Sequence, residues 1–288
     1  MPANSFIATS EAVSAAGAKV VFIDCDPVSY CMDINKLEEK ISPKTKAIIA
    51  VHLYGYPADM PTITKIANQH NLFIIEDAAQ AHGAKIADKN IGSWGHMTSF
   101  SFYPGKTLGA YGDAGAIVTN DDVFSRKMRM FANHGRISKY DHEFEGINSR
   151  LDALQAAILN VKLKHLPKWI EQRRQVADRY RQLLGHTDLV LPYEEDGFYH
   201  TYHLFVIRVK NRENIAVALK QKGIDTGVHY PIGLPFLKAY QHLKHIPDDF
   251  PTTYQSQSQL LSLPIYPELT ERQIQYVCEQ LIAALQNK

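Results

Sequence analysis

Three runs decide the fold: Lys46-Ala47-Ile48-Ile49-Ala50-Val51, then Asp59 to Ala67, then Leu72-Phe73-Ile74-Ile75-Glu76-Asp77. The first and last are apolar, rich in β-branched residues and of strand length. Between them Ile63, Ile66 and Ala67 recur at helical spacing behind Asp59, a residue suited to cap a helix. Upstream, Val20 to Asp24 reads as another buried strand, and Asp33 precedes Ile34, Leu37 and Ile41 at helical spacing. The pattern is β-α-β-α-β, which predicts an α/β fold with a mostly parallel sheet covered by helices. Such sheets bind ligands beyond the carboxyl ends of their strands. Attention therefore falls on His52 and on Glu76-Asp77.

Downstream, Thr98 to Tyr103 is a fourth apolar run, followed by Pro104-Gly105-Lys106 and by Gly109, Gly112 and Gly115. Gly115 to Thr119 returns as a strand, so the glycines make a tight connection. Residues 121–133 suit a helix capped by Asp121, and Leu151 to Leu166 a longer one ending near Pro167. Helical patterns at 170–184, 214–222 and 271–285, with a strand at Leu204 to Val209, predict a smaller α+β unit. The expected organisation is a large domain over 1–167 and a small C-terminal domain over 168–288.

Composition narrows the function class. The 288 residues are 45% hydrophobic and 21% charged, as in globular proteins, and their length fits roughly two domains. Thirty-one Lys+Arg against 30 Asp+Glu leave a formal charge of +1, which gives no broad basic surface for nucleic acid. No apolar stretch reaches the ~20 residues that span a bilayer, and the first basic residue is Lys19, so no secretory signal is expected. Cys25, Cys31 and Cys278 are too few and too scattered for a disulfide framework. A reducing cytoplasm is the expected location.

Lys106 is the first chemical candidate. A lysine on a glycine-rich turn after a buried strand can be desolvated, which frees a neutral amine for Schiff-base chemistry; alternatively it is a solvated surface lysine. Gly105-Lys106-Thr107 matches the tail of a phosphate loop, but Phe100 stands where that loop needs glycine and Pro104 removes a backbone donor. Asp77 ends an apolar strand, where a carboxylate is costly unless it finds a partner. It either caps the next segment or pairs with a protonated ring nitrogen, as in pyridoxal phosphate enzymes. The pairs His200/His203 and His242/His245 lack a third ligand at established spacing, so no metal is expected. Arg126, Lys127 and Arg129 read as a solvated helix face.

Taken together, Glu76-Asp77-Ala78-Ala79-Gln80-Ala81-His82-Gly83, Phe100 to Lys106, Gly112-Asp113-Ala114-Gly115, Gly146 to Asp152 with Gln155-Ala156, and Val228-His229-Tyr230-Pro231 resemble one family. It is the DegT/DnrJ/EryC1/StrS group of aminotransferases, which depend on pyridoxal 5'-phosphate and act on nucleotide-linked ketosugars. The resemblance spans essentially the whole chain and implies a pyridoxal-phosphate-dependent transferase fold of type I. It implies that Lys106 carries the cofactor, that Asp77 partners its pyridine nitrogen, and that Gln80 lies near its phenolic oxygen. Ser101 is similarly implied as a phosphate ligand and Phe6 as the ring against the cofactor. Asn148 and Arg150 resemble residues that reach a neighbouring subunit's site, which implies a homodimer with shared active sites. His229 and Tyr230, with Asn4, fall where the family lines its sugar pocket. Thr107 stands where many members have asparagine.

The activity this implies is transfer of an amino group from glutamate or glutamine to a nucleotide-linked 3-ketosugar, in aminosugar, O-antigen or polysaccharide synthesis. Two alternatives accompany it. One is a sugar-nucleotide dehydratase on the same fold, whose members carry histidine in place of the lysine found here at 106. The other is a truncated, inactive remnant, because family members begin several tens of residues earlier, with elements that also hold the cofactor's phosphate.

Overall fold

The computed structural model describes residues 1–286. The main helices are α1 (Ala8–Ala15), α2 (Met60–Gln69), α3 (Asp122–Phe131), α4 (Ala153–Leu163), α5 (Leu166–Leu184), α6 (Arg212–Gln221), α7 (Pro251–Ser256) and α8 (Glu271–Gln286). The strands that build the principal sheet are β1 (Ala47–Val51), β2 (Phe73–Asp77), then, after the short pair β3 (Lys85–Ile86) and β4 (Lys89–Asn90), β5 (Met97–Ser101) and β6 (Gly115–Val118). Later strands are β7 (Arg136–Ser138), β8 (Asp141–His142), β9 (Phe198–Tyr199), β10 (Phe205–Arg208) and β11 (Leu260–Leu263).

The principal sheet has the order β1-β2-β5-β6. β1, β2 and β5 are parallel, with Val51 opposite Asp77 and Asp77 opposite Ser99, whereas β6 runs antiparallel with Gly115 opposite Ser101. Val51, Asp77 and Ser101 thus end at one edge, the edge at which such sheets take ligands. α2 begins where Asp59 accepts from the Thr62 amide at 3.1 Å, and its Met60, Ile63, Ile66 and Ala67 are buried in the core around β1 and β2. A second core joins α5, α6 and α8 to the antiparallel pair β10–β11.

The local structure departs from the sequence pattern in three places. The segment after Asp33 is not an α-helix but two 3₁₀ turns, Ile34–Lys36 and Glu38–Lys40. Asp33 caps the first, but each later bond reaches back three residues, as from the Leu37 amide to the Ile34 carbonyl at 3.2 Å. The run Val20 to Asp24 makes only a parallel bridge from Ile23 to Pro2 rather than a strand. Pro167 opens a helix instead of closing one. It stands in the first turn of α5, where its missing N–H costs nothing, and α4 has ended at Leu163. Arg126, Lys127 and Arg129 are exposed on α3.

One buried carboxylate ties distant parts of the chain together. Asp24 accepts from the amides of Cys25, Thr252 and Thr253 and from the Thr253 hydroxyl at 2.7 to 3.0 Å, and Lys36 pairs with it at 3.2 Å. Burial raises its proton affinity, but these donors prevail and hold its carboxyl below the ordinary range.

Candidate active site

The carboxyl edge of the sheet carries two adjacent acids with opposite fates. Glu76 is fully buried and turned into the core. It receives His52 Nε2 at 3.1 Å, the amides of Gly92, Trp94 and Gly95 at 2.7 to 3.0 Å, and the Thr98 hydroxyl at 3.1 Å. Burial disfavours its charge, yet His52 and these donors outweigh that and bring its pKa down to about 2. His52 accepts from the Ala58 amide on Nδ1, so its proton sits on Nε2 and points at Glu76. Both strand-end residues are therefore structural staples. Asp77, one residue on, faces the other way. Its Oδ2 accepts from the Thr9 hydroxyl at 2.6 Å and its Oδ1 from the Ala79 amide at 3.1 Å.

Lys106 stands on the turn between β5 and β6. A Cβ on Gly109 would lie 2.4 Å from the Pro104 carbonyl oxygen, so this turn closes only around glycine. α4 grips the connection from outside: Lys162 donates to the Gly109 carbonyl, and Gln155 accepts from the Tyr111 amide at 2.8 Å. Burial lowers the Lys106 pKa, and the negative charge of Asp77 partly offsets the shift. An amine so placed is a better nucleophile and base at neutral pH than a surface lysine.

Around this pair the chain assembles a hydrogen-bonded wall. Gln80 accepts from the Tyr54 amide at 2.6 Å and donates through Nε2 to the Tyr230 hydroxyl at 3.0 Å. Tyr54 donates its hydroxyl proton to the His229 carbonyl and receives Asn4 Nδ2 at 3.3 Å. His229 is anchored by Ser262 at 2.8 Å, and Phe6, 55% exposed, sets its ring 5.9 Å from that of Tyr230. Burial, and then the charge of Lys106, hold the imidazoles of His82, His203 and His229 neutral, His82 at about 4. His203 has Thr107 at 3.3 Å, whereas neither ring nitrogen of His82 has a hydrogen-bond partner among the described residues.

The structure thus gathers Asn4, Phe6, Asp77, Gln80, Lys106, His229 and Tyr230 at one place. Ser101 lies at the end of β5, its hydroxyl accepting from the Tyr103 amide at 3.3 Å. Asn148 and Arg150 stand apart: both are exposed, Arg150 Nε donates to Asn148 at 3.1 Å, and no hydrogen bond among the described residues joins them to the wall. Sequence reading missed Thr9, Tyr54 and Ser262. Tyr54 alone left a trace, as a bulky residue before Gly55 just past a strand end, and its φ of 61° is a conformation such residues seldom adopt.

The profile of the DegT/DnrJ/EryC1/StrS aminotransferase family matches residues 1–282. The chain belongs to this family. It is 47% identical over 282 residues to a "pleiotropic regulatory protein" of Geobacillus stearothermophilus, covering 97% of this chain and 76% of that protein. It is 44% identical to the UDP-N-acetyl-3-dehydro-alpha-D-glucosamine 3-aminotransferase of Acidithiobacillus ferrooxidans, covering 95% of this chain and 74% of the relative. Among solved structures it superposes on DesV of S. venezuelae with a TM-score of 0.96 and 38% identity, over all of this chain and 78% of DesV. The family's fold, that of pyridoxal-phosphate-dependent transferases of type I, is the fold of this chain, and its relatives support an aminotransferase.

Proposed function

We propose that the chain uses pyridoxal 5'-phosphate to move an amino group from glutamate or glutamine to the 3-keto carbon of a nucleotide-linked sugar. One observation carries the reading: at the carboxyl edge of the sheet a desolvated Lys106 amine feels the charge of Asp77, whose carboxylate is oriented by the Thr9 hydroxyl and the Ala79 amide. These residues fit the group. Lys106 would hold it covalently, Asp77 its pyridine nitrogen, Ser101 its phosphate and Phe6 its ring face, and Gln80 keeps a second amide proton for its phenolic oxygen. When bound, the cofactor supplies an electron sink for a carbanion.

The chain's own residues do the rest. Asp77 favours a protonated ring nitrogen through its fixed negative charge. Lys106, freed when the amino donor binds, would take the proton from the donor's α-carbon and return it to the carbon two atoms away, as base and then acid. His229 and Tyr230 face the sugar. A homodimer in which Asn148 and Arg150 complete the neighbour's site belongs to the same reading, because both are exposed and unattached to their own wall.

The test adds pyridoxal phosphate to the purified chain, followed by glutamate and a 3-ketosugar nucleotide. A visible absorption band that borohydride abolishes and Lys106→Ala lacks, with 2-oxoglutarate exceeding one equivalent per site only when both substrates are present, is the expected result. Absence of the band at saturating cofactor would sink the proposal.

A further inference from the structure

Hydrogen-bond polarity at the pocket wall is fixed by a backbone atom. A main-chain N–H can only donate, so the Tyr54 amide forces the carbonyl oxygen of Gln80 toward itself, at 2.6 Å. The Gln80 NH₂ then points at the Tyr230 hydroxyl, 3.0 Å away, and that oxygen is an acceptor in this contact. Its own proton has no acceptor among the described residues and remains to be given. Burial, eased only in part by Gln80, pushes this phenol up to about 12, so the proton is present throughout the neutral range. Tyr54 is itself held, with Asn4 donating to its hydroxyl and the His229 carbonyl receiving from it. The Gln80 amide therefore has no second arrangement of equal energy.

We propose that Tyr54 and Gln80 form a polarity relay that makes Tyr230 an obligate hydrogen-bond donor, so that the sugar pocket selects a carbonyl oxygen over the amine that replaces it. A ketone oxygen only accepts and matches the phenolic proton. The ammonium group of the product only donates, and it finds a donor opposite. A site built to satisfy one polarity penalises the ligand with the other, because the unpaired group stays desolvated. Tyr230 is thus a specificity residue and Tyr54 a positioning residue. The inference rests on the pocket taking a ketosugar, as proposed above, and extends that reading to discrimination between substrate and product.

Two variants and two readouts test it. Tyr230→Phe removes the proton and keeps the ring, and Gln80→Glu turns Gln80 into an acceptor that draws the phenolic proton to itself. Each is expected to raise KM for the 3-ketosugar nucleotide at least tenfold, while the inhibition constant of the aminated product stays within twofold in Tyr230→Phe and does not rise in Gln80→Glu, where the phenolic oxygen can accept from the ammonium. The relay is read separately by NMR on the cofactor-free chain. The Tyr54 amide should resist hydrogen exchange in the wild type and exchange at least tenfold faster in Gln80→Leu. Product inhibition weakening in step with KM overturns the polarity argument, and a Tyr54 amide indifferent to Gln80→Leu overturns the relay. Failure of the wild type to bind cofactor would instead strike the functional reading, and the exchange measurement would still decide the relay.

Discussion

Asp77 and Glu76 differ by one position and by everything that follows from strand alternation: one side chain meets the core, the next the pocket. Asp77→Asn keeps the shape and one acceptor for the Ala79 amide, turns its NH₂ toward Thr9, and withdraws the charge. Glutamate α-proton exchange into deuterated water, followed by NMR, should fall about 10²-fold or more while the cofactor is still retained. Unaltered exchange would remove Asp77 from its assigned role. Glu76 has a different signature. Its folded pKa of about 2 lies below the ordinary carboxylate value of 4.5, so its stabilisation is complete above pH 4.5 and fades as pH falls toward 2. That shift corresponds to about 3 kcal/mol. Urea midpoints at pH 6 and pH 3 should therefore diverge in the wild type and lie closer together in Glu76→Gln.

At the scale of elements, the turn bearing Lys106 is held by a glycine that admits no side chain and by two side chains from α4. Gly109→Ala should cost roughly 1–3 kcal/mol through overpacking. It should also slow acylation of Lys106 relative to surface lysines, a ratio that mass spectrometry reads directly. A preserved ratio would mean that the turn does not set the amine's reactivity. The four main strands and the helices capped by Asp59 and Asp121 were legible in sequence, since apolar runs and caps act locally. The 3₁₀ turns after Asp33 were not, because apolar spacing at i, i+3 suits either helix type. Nor was the β11 partner of β10, a pairing that depends on residues more than fifty positions apart. Lys106, Asp77 and Gln80 were visible as parts of a motif. Tyr54 and Thr9 were not, because their roles exist only once three remote segments converge.

The whole molecule shows apolar side chains to solvent on either side of Asn148 and Arg150 in sequence. Tyr140, Leu154 and Val161 are 83%, 70% and 63% exposed. The proposed dimer would cover side chains of this segment. Mixing Arg150→Ala with Lys106→Ala chains should restore part of the activity that each lacks alone, since one composite site would hold both intact residues. Mixed samples no more active than the separate variants would argue against a site shared between subunits.

The Asp24 carboxylate has a consequence for how the molecule is made. It closes on Thr253, 229 positions later in the chain. Contacts at such separation form late and slow folding. During synthesis, residues 1–250 emerge with this acid still lacking the Thr253 hydroxyl and the amides of Thr252 and Thr253. The N-terminal segment around Asp24 thus settles only after α7 has left the ribosome, and chaperones have that interval in which to bind it.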